Sequence, residues 1–155
     1  MQILLESPNQ PDVIRLIDEL DAYQKPLYPP ESHHGIDIAA LSAANVLFAV
    51  ARNEEGHAIG CGAIVVGPEF GELKRMFVRP GNRGQGIAMK LLGFLEDQAA
   101  AKGCKTFMLE TGPSQPEALS LYARAGYELR GPFGSYGPDP FSVFMEKGVG
   151  RNALA

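Results

Sequence analysis

The sequence predicts a single domain of mixed α/β (α+β) class, with helices flanking one central sheet. Three observations carry this. Apolar residues keep helical spacing in some segments and form short β-type runs in others. The segments follow the order helix, helix, three strands, helix, strand, helix, two strands. One strand–helix–strand unit, from Glu72 to Glu110, calls for a right-handed crossover between parallel strands. A chain of 155 residues suits one domain with a real core, placed at 1–147, with a tail at 148–155.

Each element has its own signal. SPNQPDVIRLIDELDAYQ reads as a helix, with Val13, Leu16, Ile17 and Leu20 on one face and Ser7 or Asn9 as cap. Three prolines turn KPLYPPESHHG into a loop, and IDIAALSAAN is a short second helix. NVLFAVAR and AIGCGAIVV, joined by NEEGH, form a hairpin. GELKRMFVR is the third strand of this region. From Gln85 to about Lys102 a helix carries the stripe Ile87, Leu91, Leu95 and Ala99 and ends at Gly103. CKTFMLE is a short buried strand. QPEALSLYARAG is a helix with Ala118, Leu121, Tyr122 and Ala125 on one face. YELR and FSVFMEK are the last strands, separated by the loop GPFGSYGPDP, and GVGRNALA is a frayed tail.

Composition narrows the function. A net charge of -4 argues against wholesale binding to nucleic acid or an acidic membrane. No apolar run is long enough to span a bilayer. MQILLESPNQ has neither the basic region nor the apolar region of a signal peptide, so a cytoplasmic location is expected. In that compartment Cys61 and Cys104 are expected to be free, buried thiols. His33 and His34 have no Cys/His cluster around them, so no metal is expected.

The chemistry concentrates in VRPGNRGQGIAMKLL, Val78 to Leu92. Between Leu73 and Leu95 stand Lys74, Arg75, Arg79, Arg83 and Lys90, with no Asp or Glu among them. They surround a helix start, whose unpaired N–H groups already favour anions. Gly84 and Gly86 remove side chains where backbone must approach a ligand, and Ala88 continues the small residues. Together these describe a phosphate or pyrophosphate cradle. No Gly-Lys-Ser/Thr follows, so a P-loop is poorly supported. A dinucleotide fingerprint is a closer rival, with Glu110 about where a ribose-binding acid belongs. Against it stand Met89 at the third small position, five residues between strand and first glycine, and too little chain for a doubly wound sheet.

Arg83-Gly84-Gln85-Gly86-Ile87-Ala88 resembles the Q/R-x-x-G-x-G/A signature of the GCN5-related N-acetyltransferase (GNAT) superfamily. The preceding strand Glu72–Val78 and Pro80 fit the same context. Downstream, Ala118 to Tyr127 resembles that family's A-x-x-L-Y-x-x-x-G-F/Y segment, and the likeness extends from about Asn45 to Lys147. LKRMFV, LETG and SVFMEK are similar to a subgroup of small bacterial acetyltransferases, many of unassigned substrate.

The resemblance implies a single GNAT-like domain, its central sheet mixed and mostly antiparallel and flanked by helices, that uses acetyl-CoA as co-substrate. It implies that Arg83 and the amides of Gly84, Gln85, Gly86, Ile87 and Ala88 hold the pyrophosphate. Main chain at Met76, Phe77 and Val78 would pair with the pantetheine arm, in a slot opened where that strand splays from its neighbour, and N–H near Phe77 or Val78 would polarise the acetyl oxygen. Gln115 stands where the family often has a cofactor-contacting Asn, and its longer side chain departs from the pattern. Tyr122 matches the family's general acid, although its spacing alone reads as core. Glu72 is the candidate base, through water, or else a strand charge paired with Lys74 or Arg75; an ordinary glutamate is a weak base and would need a raised pKa. By the same analogy the loops around His33, His34, Tyr136 and Asp139 would frame the acceptor, and Arg75 would bind an acceptor carboxylate or pair with Glu72. The implied activity is acetyl transfer to an amine, expected to be that of a small molecule, by direct attack in a ternary complex. Homodimerisation through the C-terminal strands is a further expectation by analogy. Two rivals stand beside it: a dinucleotide-dependent oxidoreductase and a non-catalytic acyl-CoA-binding regulatory module.

Overall fold

Residues 1–32 and 36–149 are described by the computed structural model; His33 and His34, and all but the first two residues of the expected tail, lie outside the described residues. Seven strands form one sheet: β1 (Gln2–Leu5), β2 (Val46–Arg52), β3 (Ala58–Val66), β4 (Gly71–Val78), β5 (Thr106–Thr111), β6 (Glu128–Arg130) and β7 (Val143–Gly148). Their spatial order is β1-β2-β3-β4-β5-β7-β6. Every pairing is antiparallel except β4 with β5. The helices are α1 (Pro11–Gln24), α2 (Ile38–Leu41), α3 (Ile87–Ala101) and α4 (Pro116–Arg124). Among the described residues no helix is long and apolar enough to cross a membrane.

Strand alternation sorts the core into two layers. Leu47, Ala49 and Ala51 of β2 face α3 and α4, where they join Ile87, Leu91, Leu95 and Ala99. Phe48 and Val50 face the other way and pack with Val13, Leu16, Ile17 and Leu20 of α1. Both expected helical stripes are therefore core stripes. The third is different. On α4 only Tyr122 is buried, while Ala118 and Leu121 are half-buried. Cys61 and Cys104 are free and buried, as expected.

Three expectations need correction. A first strand, β1, precedes α1; its residues are mostly exposed, so no apolar alternation announced it. The residue capping α1 is Gln10, with Pro11 at the first helical position and no side-chain cap; Ser7 instead accepts a hydrogen bond from Asn9 N–H at 3.1 Å. The helix after the glycine-rich turn starts at Ile87 rather than Gln85, because Gly86 is left-handed at φ 75°.

Candidate active site

The parallel pairing of β4 with β5 is short. It covers Gly71–Leu73 against Phe107–Leu109 and then stops. Beyond it the strands diverge, and two cavities open in the wedge. The larger, about 690 Å³, is lined by Met76, Phe77, Val78, Arg83, Gly84, Gly86, Ile87 and Ala88, and by Gln115 to Ala118 and Tyr122 across the gap. The smaller, about 380 Å³, is lined by Lys74 to Met76, Leu109 to Gly112, Gln115, Tyr122, Phe141 and the segment around Tyr28. Met76, Gln115, Ala118 and Tyr122 line both, so the cavities share one wall.

A β-bulge helps shape the wedge. Cys61 pairs with Phe77 and Ala63 with Lys74, so Gly62 opposes two residues, Arg75 and Met76. Arg75 takes a left-handed φ of 59°, rare for a non-glycine residue and costing about 1–2 kcal/mol. Its side chain is anchored: Nη1 donates to Asp21 at 2.6 Å and Nε to the Ile36 carbonyl at 3.1 Å.

The large cavity has the chemistry of an anion cradle. Gly84 and Gly86 have φ of 80° and 75°, and a Cβ at either would project into open space. The ladder of α3 begins with Lys90 N–H donating to Gly86, so the N–H groups of Ile87 to Met89 have no intrahelical partner. Arg83 lies beside them, its Nε donating to the Val78 carbonyl at 3.0 Å and its guanidinium over Tyr23 and Phe77. Arg124 of α4 adds a second cation to the lining. The expected five-residue basic cluster is otherwise dispersed. Arg79 pairs with Glu19 at 2.7 Å, Arg75 with Asp21, and Lys74 with Glu72 at 3.3 Å. Glu19 and Asp21 are brought over β4 by α1, which local composition could not reveal. Gln85 has an exposed side chain and is not among the lining residues, so it offers its main chain at most.

Tyr122 stands in the shared wall, 7% exposed, its ring edge-on to Tyr127 at 5.8 Å. Burial pushes its phenol above the ordinary value, so it is held as a neutral O–H donor. Gln115 precedes α4, and its Oε1 accepts from Tyr28 Oη at 3.0 Å.

The carboxylates fall differently from expectation. Glu72 accepts from Tyr136 Oη at 2.6 Å, beside Lys74, and lines neither cavity. Tyr136 also accepts from Lys74 Nζ at 2.7 Å and packs against Phe133 and Phe144. Asp139 accepts from Ser32 Oγ at 2.7 Å and from Phe141 N–H. Tyr136 and Asp139 thus brace the walls of the small cavity from behind, and Arg75 neutralises Asp21 rather than Glu72. The carboxylate in the small cavity with a strongly perturbed pKa is Glu110. Burial pushes it up to about 7, partly offset by a hydrogen bond from Ser142 (2.9 Å) and by Lys74. In the sequence Glu110 offers only the rival ribose contact, yet it lies in the cavity without Gly84 and Gly86. Its signal was the register: Lys74 and Glu110 directly follow the last paired residues, Leu73 and Leu109.

Known proteins are similar to this chain in sequence and fold. The sequence model of the acetyltransferase (GNAT) family matches residues 13–127. An IAA acetyltransferase of Azospirillum brasilense is 49% identical over 147 residues, covering 94% of this chain and 95% of that protein. A crystal structure from Klebsiella pneumoniae subsp. pneumoniae MGH 78578, provisionally called an acyl-CoA N-acyltransferase, is 40% identical with a TM-score of 0.82, covering 96% of this chain and 97% of the other. The PaiA N-acetyltransferase of Thermoplasma acidophilum, solved with coenzyme A, shares the fold at 18% identity and a TM-score of 0.70, over 96% of this chain and 99% of the other.

Proposed function

The chain belongs to the acetyltransferase (GNAT) family, and on that premise we propose that it moves an acetyl group from acetyl-CoA to the amine of a small molecule. The observation that carries the proposal is the shared wall: Tyr122 lines both an anion-cradling cavity and a second one containing Glu110. Acetyl-CoA supplies the acetyl thioester. The Gly84–Ala88 segment and Arg83 take its pyrophosphate, and main chain at Met76–Val78 takes its arm. The acceptor enters the smaller cavity. About 380 Å³, closed on one side by Tyr28 and Phe141, suits a small amine better than a polypeptide.

Transfer makes a C–N bond and breaks a C–S bond. The amine loses a proton, and Glu110, poised near 7, is the residue placed to receive it. Glu72 is one layer back and supports this role through its field: its charge raises Glu110, while Lys74 lowers it. Tyr122 serves the departing sulfur. A phenol with a raised pKa is less acidic than a thiol near 8.5, so it assists chiefly by donating a hydrogen bond. Family membership also sets the rivals aside. A dinucleotide enzyme would need Glu110 beside the cradle, and a mere binding module has no use for a second cavity behind Tyr122.

Calorimetric titration tests the reading, with NAD(H) as control. Acetyl-CoA should bind and NAD(H) should not; the reverse would overturn it. Tyr122→Phe should bind acetyl-CoA as wild type does and turn over about 10- to 100-fold more slowly, the loss of one hydrogen bond to a developing charge. A screen of small acceptors, amines first, that follows release of free thiol would then identify the acceptor, and the IAA named for the Azospirillum relative belongs in it as a separate test.

A further inference from the structure

Tyr28 belongs to the segment after α1, on the acceptor side of the molecule. Its ring meets Phe141 edge-on at 6.5 Å and lines the smaller cavity. Its hydroxyl, however, is plugged into a turn of a different element. That turn runs from Gly112 to Gln115, closed by Gln115 N–H donating to the Gly112 carbonyl at 3.2 Å, and it launches α4. The Tyr28 hydroxyl fills the place a Cβ on Gly112 would take. It donates to Gln115 Oε1 at 3.0 Å and is hydrogen-bonded by the main chain and side chain of Ser114. The phenol is therefore held by three residues of one turn, Gly112, Ser114 and Gln115.

Gln115 lines both cavities. A primary amide has one accepting end and one donating end. Tyr28 occupies the accepting oxygen, which leaves the NH2 end for a ligand. The pantetheine arm of CoA carries amide carbonyls, which need donors of this kind.

Resting on the acetyl-CoA reading above, we propose that Tyr28 is a positioning residue for the cofactor: by holding Gln115 Oε1 it fixes the amide so that its NH2 group donates to the arm. The wall of the acceptor cavity thereby sets a contact in the cofactor cavity. A glutamine at this place works where a shorter amide would not, because it has to reach Tyr28 and the arm together.

The test separates the arm from the nucleotide. Acetyl-CoA and adenosine 3′,5′-bisphosphate, which lacks the arm, are titrated into wild type, Tyr28→Phe, Gln115→Ala and the double variant. Tyr28→Phe should weaken acetyl-CoA binding about 3- to 10-fold and leave the bisphosphate within twofold. Gln115→Ala should do the same, and the double variant should lose no more than either single one. Gly112→Ala, whose Cβ evicts the hydroxyl, should copy Tyr28→Phe. Thermal unfolding confirms that each variant is folded; should Gly112→Ala not fold, Tyr28→Phe decides. Unchanged acetyl-CoA affinity in Tyr28→Phe overturns the inference, as do equal losses for both ligands or additive losses in the double variant. Failure of wild type to bind acetyl-CoA overturns the cofactor reading itself and the inference with it.

Discussion

Glu110 holds its proton to a higher pH than an ordinary carboxylic acid because burial costs its charged form more than its neighbours return. Ser142 and Lys74 favour ionisation; Glu72 and Asp139 oppose it. The consequence for activity is an acid limb. Below about pH 7 Glu110 is protonated and cannot accept the amine's proton, so kcat/KM should rise as pH passes through that value. Glu110→Gln should lower the rate and abolish this inflection, whereas the acceptor's own ionisation should persist in both proteins. The consequence for stability has the opposite sign. Between pH 4.5 and about 7 the folded state binds more protons than the unfolded chain, so stability falls as pH rises through that window. Glu110→Gln removes this penalty, and above pH 7 the variant should be the more stable protein, by on the order of 2 kcal/mol. Urea melts at pH 5 and pH 8 check it; a variant less stable at both would show that Glu110 is tied down by bonds beyond Ser142. Legibility at this scale was uneven. The glycines and Tyr122 were visible because a local pattern carries them. Glu110 was visible only as an acid ending a strand, because the groups that tune it lie 29 or more positions away, on β4 and in the loop before β7.

Among the elements, α3 and β7 are joined by a bond that no periodicity would suggest. Lys147 Nζ donates to Glu96 at 2.8 Å, Tyr127 Oη donates to the same carboxylate at 2.8 Å, and Lys147 is only 8% exposed. The ammonium lies 5.7 Å over the Tyr127 ring. FSVFMEK reads as a strand, but composition places its lysine in solvent. It faces inward because alternation puts Met145 and Lys147 on one side, and Glu96 from α3 meets it there. Removing one partner strands the other charge in a poorly solvated place. Lys147→Ala should therefore destabilise by about 3–5 kcal/mol, while Glu96→Leu with Lys147→Met should recover most of that loss. Chemical denaturation of the three proteins measures it, and equal destabilisation of the single and double variants would mean that packing rather than charge governs the site. The other elements were readable where one rule dominated. The stripes of α1 and α3 had no competitor. On α4, Ala118 and Leu121 read as core from spacing, yet they line the large cavity; a cavity wall and a core face have the same composition.

At the scale of the molecule, the question is what holds the N-terminal strand and α1 on the sheet. β1 buries almost nothing and pairs only at the edge with β2. Arg52 at the end of β2 supplies the clasp. It is bonded to Glu6 at 2.9 Å, to Asp12 in the first turn of α1 at 2.6 Å and to the Gly56 carbonyl of the β2–β3 turn at 2.8 Å. Hydrogen bonds from Arg52 are the largest cause holding Glu6 and Asp12 below their ordinary values. The sequence could not show this clasp, because Arg52 lies 40 or more residues from both carboxylates. The sign follows from the lowered values. Each carboxylate contributes stability above its unfolded pKa, 4.5 for Glu6 and 3.8 for Asp12, and loses it as pH falls through its lower folded value. Arg52→Ala should thus destabilise by about 1–3 kcal/mol at pH 7, with the difference from wild type shrinking below about pH 4.5. High salt should shrink it less, since the three side chains are largely sheltered, at 18%, 20% and 33% exposure. Urea melts at pH 7 and pH 3 decide. A difference that survives unchanged at pH 3 would assign the clasp to the Gly56 carbonyl alone. One that disappears would assign it to the two carboxylates, so that β1 and α1 are clasped to the sheet only while Glu6 and Asp12 are ionised, and acid would weaken the same helix that supplies Asp21 to Arg75 in the acceptor wall.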